Sequence, residues 1–455
     1  MPATERHTAP SQGTALNQEL IGRLHDARRR SDELFRLVSA GCLYERPIPE
    51  RHRIIFYMGH LEAFDWNLLH ENILGLKSFH PEFDRLFAFG IDPVGGGPPS
   101  DLPSDWPSLS AVQNYANKIR AVLDEGLADG ASAYQASAHD RFSLDTLLNV
   151  AVEHRLLHAE TLAYMLHQLA LDKKERQSGP HNLDTGSVIH RTMEIPAGTS
   201  TLGLPRFSET RGSEAFGWDN EYEACTVDVP AFAIDRYEVT NRQFLEFMEA
   251  GGYQTRAWWG NEDWNWRTAS AISHPVFWKK AGDDWLYRTM FAEVALPLDW
   301  PVYVSHAEAS AYARWAGKLL PTEAEWHRAA YGTADGSERN YPWGNSAPNS
   351  RFGNFDFRRW DPTPVNAFPE GQSAFGVCDM LGNGWEWTST VFAPFRGFEP
   401  FPFYRGYSAD FFDGKHFVLK GGSALTAACM LRRTFRNWFQ AHYQYVYAGF
   451  RCVSH

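Results

Sequence analysis

The residues best equipped for chemistry are histidines. His154 and His158 stand four apart in VEHRLLHAETLAYMLH, 152–167. On a helix that spacing puts both imidazoles on one face, one above the other. Ala151 and Met165 fall on the same face, so the pair points to a helical interior where two polar rings need partners, which a metal ion supplies to both at once. A third ligand is available in IIFYMGHLEAFDW, where His60 follows Gly59, a residue that lets another element approach closely. Three imidazoles leave coordination positions open, as a catalytic metal requires. Ligand softness does not choose among zinc, iron, copper and nickel. Glu62, Asp65 and Glu160 are carboxylates near enough in sequence to serve as a ligand or as an acceptor behind an imidazole N–H. The bland alternative is that Asp65 and Glu160 are helix-surface or capping charges.

The elements that must position these groups fall into two unlike halves. Up to about Lys174 the apolar spacing is helical. Four long amphipathic helices are expected: 14–40; a second in IPERHRIIFYMGHLEAFDWNLLHENILG, with Pro49 placed for its start; 107–130; and 143–174, with Ser143 as a cap. They imply an up-and-down bundle, with the Gly/Pro-rich FGIDPVGGGPPSDLPSDWPS as a surface loop between the second and third. Residues 175–190 read as a linker. From Arg191 to the end, short β-like pieces such as TMEIPAG, CTVDVPAFAIDRYEVT, FVLKGGS and AGFRCVS alternate with Gly, Pro and Trp. Two clear helices open there on Thr240 and Ser305. An irregular α+β domain held by aromatic packing is expected, without internal repeats.

Composition narrows the partners. The 455 residues are 44% hydrophobic and 15% aromatic, with 17 Trp and 31 Phe, and this length suggests two or three domains. A net charge of −12 disfavours nucleic acid and anionic membrane surfaces. No apolar run approaches the roughly 18 residues of a membrane span. The opening MPATERHTAPSQG reads as a loose terminus instead of a signal peptide. Five scattered cysteines, none in a C-x-x-C pair, fit neither a disulfide scaffold nor a zinc knuckle. A cytoplasmic protein is expected, its oligomeric state open.

These parts together resemble a known family. GHLEAFDW with HRLLHAE resembles the DinB-like bundle of the nonheme-iron sulfoxide synthases. The second half resembles the formylglycine-generating-enzyme (sulfatase-modifying-factor) module, a C-type-lectin variant. The motifs carrying that likeness are YEVTNRQFLEFMEAGGY, PVYVSHAEASAYARWAGKLLPTEAEWHRAA, YPWGN, FGVCDMLGNGWEWTST, LKGGSAL and AGFRC. Fusion of the two in this order resembles the ergothioneine/ovothiol synthases and the related selenoneine synthases. The resemblance implies Fe(II) held by His60, His154 and His158, with Glu160 matching the family's glutamate after the pair. It further implies O2-dependent joining of a thiol or selenol donor to the imidazole of N-α-trimethylhistidine (hercynine). The segments RGFEPFPFYRGYSADFF and RRTFRNWFQAHYQYVYAGFRC should then frame the other side of the site. By the same resemblance Tyr404 or Tyr407, with Tyr404 preferred, delivers a proton or tunes an iron–oxygen intermediate, and Asn437, Trp438 and Phe439 bind substrate. An indole face suits a trimethylammonium group and an amide suits a carboxylate.

Departures bear on the donor. Where relatives that use γ-glutamylcysteine carry an acidic residue after NW, this chain has Phe439 and Gln440, and Leu156 and Leu157 fill the gap between the metal histidines. A drier pocket leaves cysteine or a selenosugar as donor and tilts the reading toward the selenium branch. In GNGWEW, Asn383 and Glu386 are candidate oxygen ligands of a structural Ca2+, the alternative being that they satisfy backbone groups in a buried turn. The rival functions are a copper-dependent formylglycine-generating oxidase, for which the paired-cysteine motif is missing, a zinc-dependent DinB-type thiol transferase using the same histidines, and a lectin-like scaffold with a vestigial bundle.

Overall fold

Helical spacing in the first third of the chain produces helices of the expected kind, with altered edges. In the computed structural model α1 spans Gln12–Arg36, α2 Ile54–Leu69, α3 Pro81–Phe89, α4 Leu109–Gly130 and α5 Leu144–Gln168. The structure describes residues 12–71, 73–90, 99–130, 143–175, 187–206 and 216–455. The opening segment, most of the Gly/Pro-rich loop and most of the linker expected at 175–190 lie outside the described residues. Two units form, Met1–Arg176 and Gln177–His455.

In the first unit α1 packs on α5, while α2 packs on α3, α4 and α5. Pro49 does not begin α2. It sits in a turn closed by Arg51 N–H on Ile48 O, and the helix starts after Arg53. The Arg53 guanidinium donates to Asp101 Oδ2 at 2.8 Å and to Tyr44 O at 2.7 Å, which pins the entry to α2. Ser143 does stand at the N-cap of α5, but its hydroxyl meets Thr146 Oγ1 at 3.0 Å and makes no capping bond to the backbone. α5 is not amphipathic over its middle: every residue from Val150 to Leu156 is buried. Such a helix is a core element. The short α3 was not anticipated. Pro81 opens it and Gly90, at φ 74°, closes it, a start and a stop suited to each residue.

The second unit interleaves strands and helices. In chain order they are β1 Thr192–Ile195, β2 Gly198–Leu202, β3 Cys225–Val229, β4 Phe232–Asp235, α6 Asn241–Glu249, α7 Asn261–Ala269, β5 Trp278–Ala281, β6 Asp284–Arg288, β7 Glu293–Ala295, α8 His306–Trp315, α9 Glu323–Tyr331, β8 Gly384–Val391, β9 His416–Gly422, β10 Asn437–Gln440, β11 Ala448–Gly449 and β12 Val453–Ser454. The largest described sheet has the order β10-β9-β8-β11. β8 and β9 are antiparallel with Glu386 opposite Lys420, and β10 lies along β9 with Trp438 opposite Val418. Thr240 and Ser305 form the expected capping boxes, with Gln243 and Glu308. Thr322 and Glu325 form a third at α9, a helix that was not anticipated although PTEAE carries its cap. The core is aromatic: Trp218, Trp326, Trp385 and Trp387 are all fully buried. No helix among the described residues is long and apolar enough to cross a membrane.

Candidate metal centre

His60 projects from α2, and His154 and His158 project from α5, two helices in direct contact. One ring nitrogen from each lies within 4.8 Å of the others, and among the described residues this is the one group of three or more His, Cys, Asp or Glu so placed. His60 Nε2 is 3.2 Å from His158 Nε2. His60 Nδ1 lies 2.6 Å from Phe87 O. Because a carbonyl can only accept, Nδ1 carries the proton and Nε2 presents its lone pair to the cluster. α3 supplies that carbonyl, and α3 reaches α2 where Gly59 leaves room: a Cβ there would sit 2.3 Å from the Phe87 ring.

The surroundings keep the imidazoles neutral. Burial pushes His60 down to about 4, and burial likewise holds His154 and His158 well below the ordinary histidine range. Each ring has an aromatic neighbour: Phe56 stacks on His60 at 4.8 Å, Phe64 on His154 at 3.4 Å, and Tyr57 tilts against His158 at 5.7 Å. His60 and His154 are buried and His158 is partly exposed, and their ring nitrogens converge so that one cation can take a lone pair from all three. The donor set therefore fits a divalent transition metal.

The expected carboxylates behave differently. Asp65 does not back an imidazole. Its Oδ2 takes Arg155 Nη2 at 2.6 Å, and the same guanidinium donates to Glu62 Oε1 at 2.9 Å and Leu61 O at 2.8 Å. Burial opposes the charge on Glu62, but Arg155 and Arg120 outweigh it and hold the carboxyl at about 2. This corrects the expectation for Asp65: a fully buried arginine, unremarked in the sequence, claims the acids first. Glu160 is buried on α5 but is not within the three-histidine group.

The residues expected to bind substrate gather in the second unit. Trp438 stacks on Phe392 at 4.3 Å with an interplanar angle of 6°, and the edge of Tyr407 meets it at 5.3 Å. Asn437 Oδ1 accepts the Trp438 backbone N–H at 2.9 Å, so its remaining polar group is a donor. Phe439 stacks on Tyr443 at 5.1 Å. Tyr407 is buried flat on Trp218 at 3.9 Å, while Tyr404 is half-buried 5.5 Å from Tyr407. Burial first, and then the Asp219 charge, push the Tyr404 phenol up to about 12, so it holds its proton at neutral pH. Asp219 itself was not anticipated; it accepts from Ser408 Oγ.

The candidate calcium ligands are otherwise employed. Both oxygens of Glu386 are paired with Arg451, Nε to Oε2 at 2.6 Å and Nη2 to Oε1 at 2.8 Å. Asn383, at φ 67°, accepts from Thr363 N–H at 2.8 Å and donates to Thr363 O at 3.0 Å. A guanidinium against both carboxylate oxygens of Glu386 repels a divalent cation, and of the two residues only Asn383 satisfies backbone groups in a buried turn. Cys429 is exposed and Cys452 buried.

Comparison with known proteins follows the same lines. Residues 183–455 match the family model described as Sulfatase-modifying factor enzyme 1-like domain. A protein named Hercynine oxygenase from Mycolicibacterium thermoresistibile is 40% identical over 355 residues, covering 76% of this chain and 75% of that one. Another Hercynine oxygenase, from Mycobacterium tuberculosis, is 44% identical over 236 residues, 51% of this chain and 55% of its own. Ergothioneine biosynthesis protein 1 of Neurospora crassa is 29% identical over 490 aligned positions, 90% of this chain and 55% of its own.

Proposed function

The chain belongs to the ergothioneine-type sulfoxide synthase family, with a sulfatase-modifying-factor domain over residues 183–455, and is an oxidative enzyme; from that premise we propose that it uses Fe(II) and O2 to form a carbon–chalcogen bond on the imidazole of hercynine. The observation that carries this reading is the convergence of His60, His154 and His158 ring nitrogens within 4.8 Å, with His60 and His154 buried and His158 partly exposed. In this reading the first unit is a DinB-like bundle and the three imidazoles hold the iron, which when bound supplies the one-electron chemistry that O2 activation needs. Phe87 O fixes the His60 tautomer. The indole of Trp438 takes the trimethylammonium group of hercynine, for about 0.5–2 kcal/mol, and the Asn437 amide donates to its carboxylate. Tyr404, protonated at neutral pH, is the proton donor, with Tyr407 packed beside it.

The donor is proposed to be a selenosugar, with cysteine next and γ-glutamylcysteine disfavoured. Phe439 is stacked on Tyr443 and Leu156 is buried, so neither position offers the charge that a γ-glutamyl group would seek. The deciding experiment is anaerobic Fe(II) reconstitution, then O2 and hercynine with the three donors in competition, products being identified by mass spectrometry. A new C–Se or C–S adduct that disappears in His154→Ala is expected. Iron-loaded, folded protein that yields no adduct with any donor overturns the proposal.

A further inference from the structure

The second unit holds a cavity of about 780 Å³, lined only by residues of that unit and by none of the histidines of the metal centre. Its size lies within the roughly 300–1,000 Å³ of small-molecule sites. His306, the first residue of α8, lines it. This residue is 8% exposed, stacks on Phe417 at 3.8 Å, and has no hydrogen-bond partner at Nε2 among the described residues. The ring's bond to the Thr388 backbone therefore engages Nδ1, and burial pushes the imidazole down to about 4. Nε2 is thus a bare acceptor in a buried place, a group that costs free energy until a donor reaches it.

The charges around the cavity define what that donor belongs to. Both oxygens of Glu325 are engaged, Oε2 by the Thr322 backbone N–H of the α9 cap and Oε1 by His455 Nε2 at 2.6 Å, and Lys318 is paired with Asp235. Asp263 Oδ1 takes His442 Nε2 at 2.9 Å, and His442 lies flat on Trp266 at 4.7 Å. Arg314 donates to Trp258 O at 2.9 Å, a neutral acceptor that does not offset its charge. Asp263 with Glu262, and Arg314 with Lys415, remain as charges of both signs lining one cavity. A simple anion would meet the carboxylates there and a simple cation would meet the guanidinium; a molecule carrying both charges satisfies all of them.

We propose that this cavity binds a zwitterionic α-amino acid, with its carboxylate at Arg314 and Lys415, its ammonium at Asp263 and His306 Nε2, and its side chain against the His306–Phe417 stack. The test is calorimetric titration of the full chain with L-phenylalanine, N-acetyl-L-phenylalanine and L-phenylalaninamide. L-Phenylalanine should bind at least tenfold more tightly than either derivative, each of which lacks one charge. Arg314→Gln should weaken L-phenylalanine about tenfold and leave the amide unchanged, and Asp263→Asn should weaken L-phenylalanine while leaving the N-acetyl derivative unchanged. Neither side chain is buried, so both variants keep the fold, which unchanged melting temperatures would verify. No binding of L-phenylalanine, equal affinity for all three compounds, or L-phenylalanine affinity unmoved by both substitutions overturns the proposal.

Discussion

At the scale of single residues, burial decides which groups keep a charge. Asp219 is fully buried, and burial raises its carboxyl to about 6 against the bond from Ser408. Between about pH 4 and 6 the folded chain therefore binds a proton that the unfolded chain has released. The folded state binds more protons, so stability falls as pH rises through that window. A displacement of about two units corresponds to about 3 kcal/mol. Asp219→Asn removes the ionisation with little change of shape and should flatten the dependence: urea midpoints at pH 4.5 and 7.5 should converge for the variant and differ for the parent. Parallel slopes would assign the effect to other groups. Burial also explains what sequence reading could reach. His154 and His158 were legible from their spacing of four, and His60 from its place after Gly59 in an apolar run. Asp65 was misassigned because its partner, Arg155, is an arginine with 0% exposure, and nothing in the spacing says that a guanidinium will be dragged into the core to meet it.

At the scale of elements, boundaries were legible where the chain signals them locally. Thr240, Ser305 and Thr322 each precede a Gln or Glu three residues on, and each forms a capping box. α3 was illegible because nine residues carry too little periodicity; its place is set by packing on α2. That packing has a consequence for the metal centre. In Gly59→Ala the new methyl would meet a Phe87 ring that is itself buried against Tyr115 at 5.7 Å and Phe83 at 5.5 Å. The strain should cost about 1–3 kcal/mol and move Phe87 O off His60 Nδ1. Loss of an imidazole's orienting partner typically costs 10–100-fold in metal affinity. Titration with Co(II), followed by its visible absorption, should show this loss in Gly59→Ala and recovery in Gly59→Ala/Phe87→Leu, where the smaller side chain relieves the clash. Undiminished Co(II) affinity in the single variant would mean that the α3 carbonyl does not position the ligand.

At the scale of the whole molecule, the division of labour follows from where the nitrogens come from. All three histidines belong to the unit Met1–Arg176, two on α5 and one on α2. The change in texture near residues 174–191 made the two halves legible, because helical periodicity stops there and short aromatic-rich strands begin. The interior of the second half was less legible, since its strands are fixed by long-range pairing such as Glu386 opposite Lys420, which no local pattern encodes. A metal that binds the folded triad and not the unfolded chain stabilises by RT ln(1 + [M]/Kd), about 4 kcal/mol at a thousandfold excess over Kd, and that free energy is delivered to the helices that carry the ligands. Hydrogen exchange with and without a chelator should therefore change most in peptides from 54–69 and 144–168, whose amides lose protection when metal is withdrawn, while peptides from 384–391 and 416–422 keep theirs. Equal deprotection of both sets would show that the ion's stabilisation is not local to α2 and α5, and no change in either would remove the triad as a metal site, because an ion held by both helices must stabilise them while it is bound.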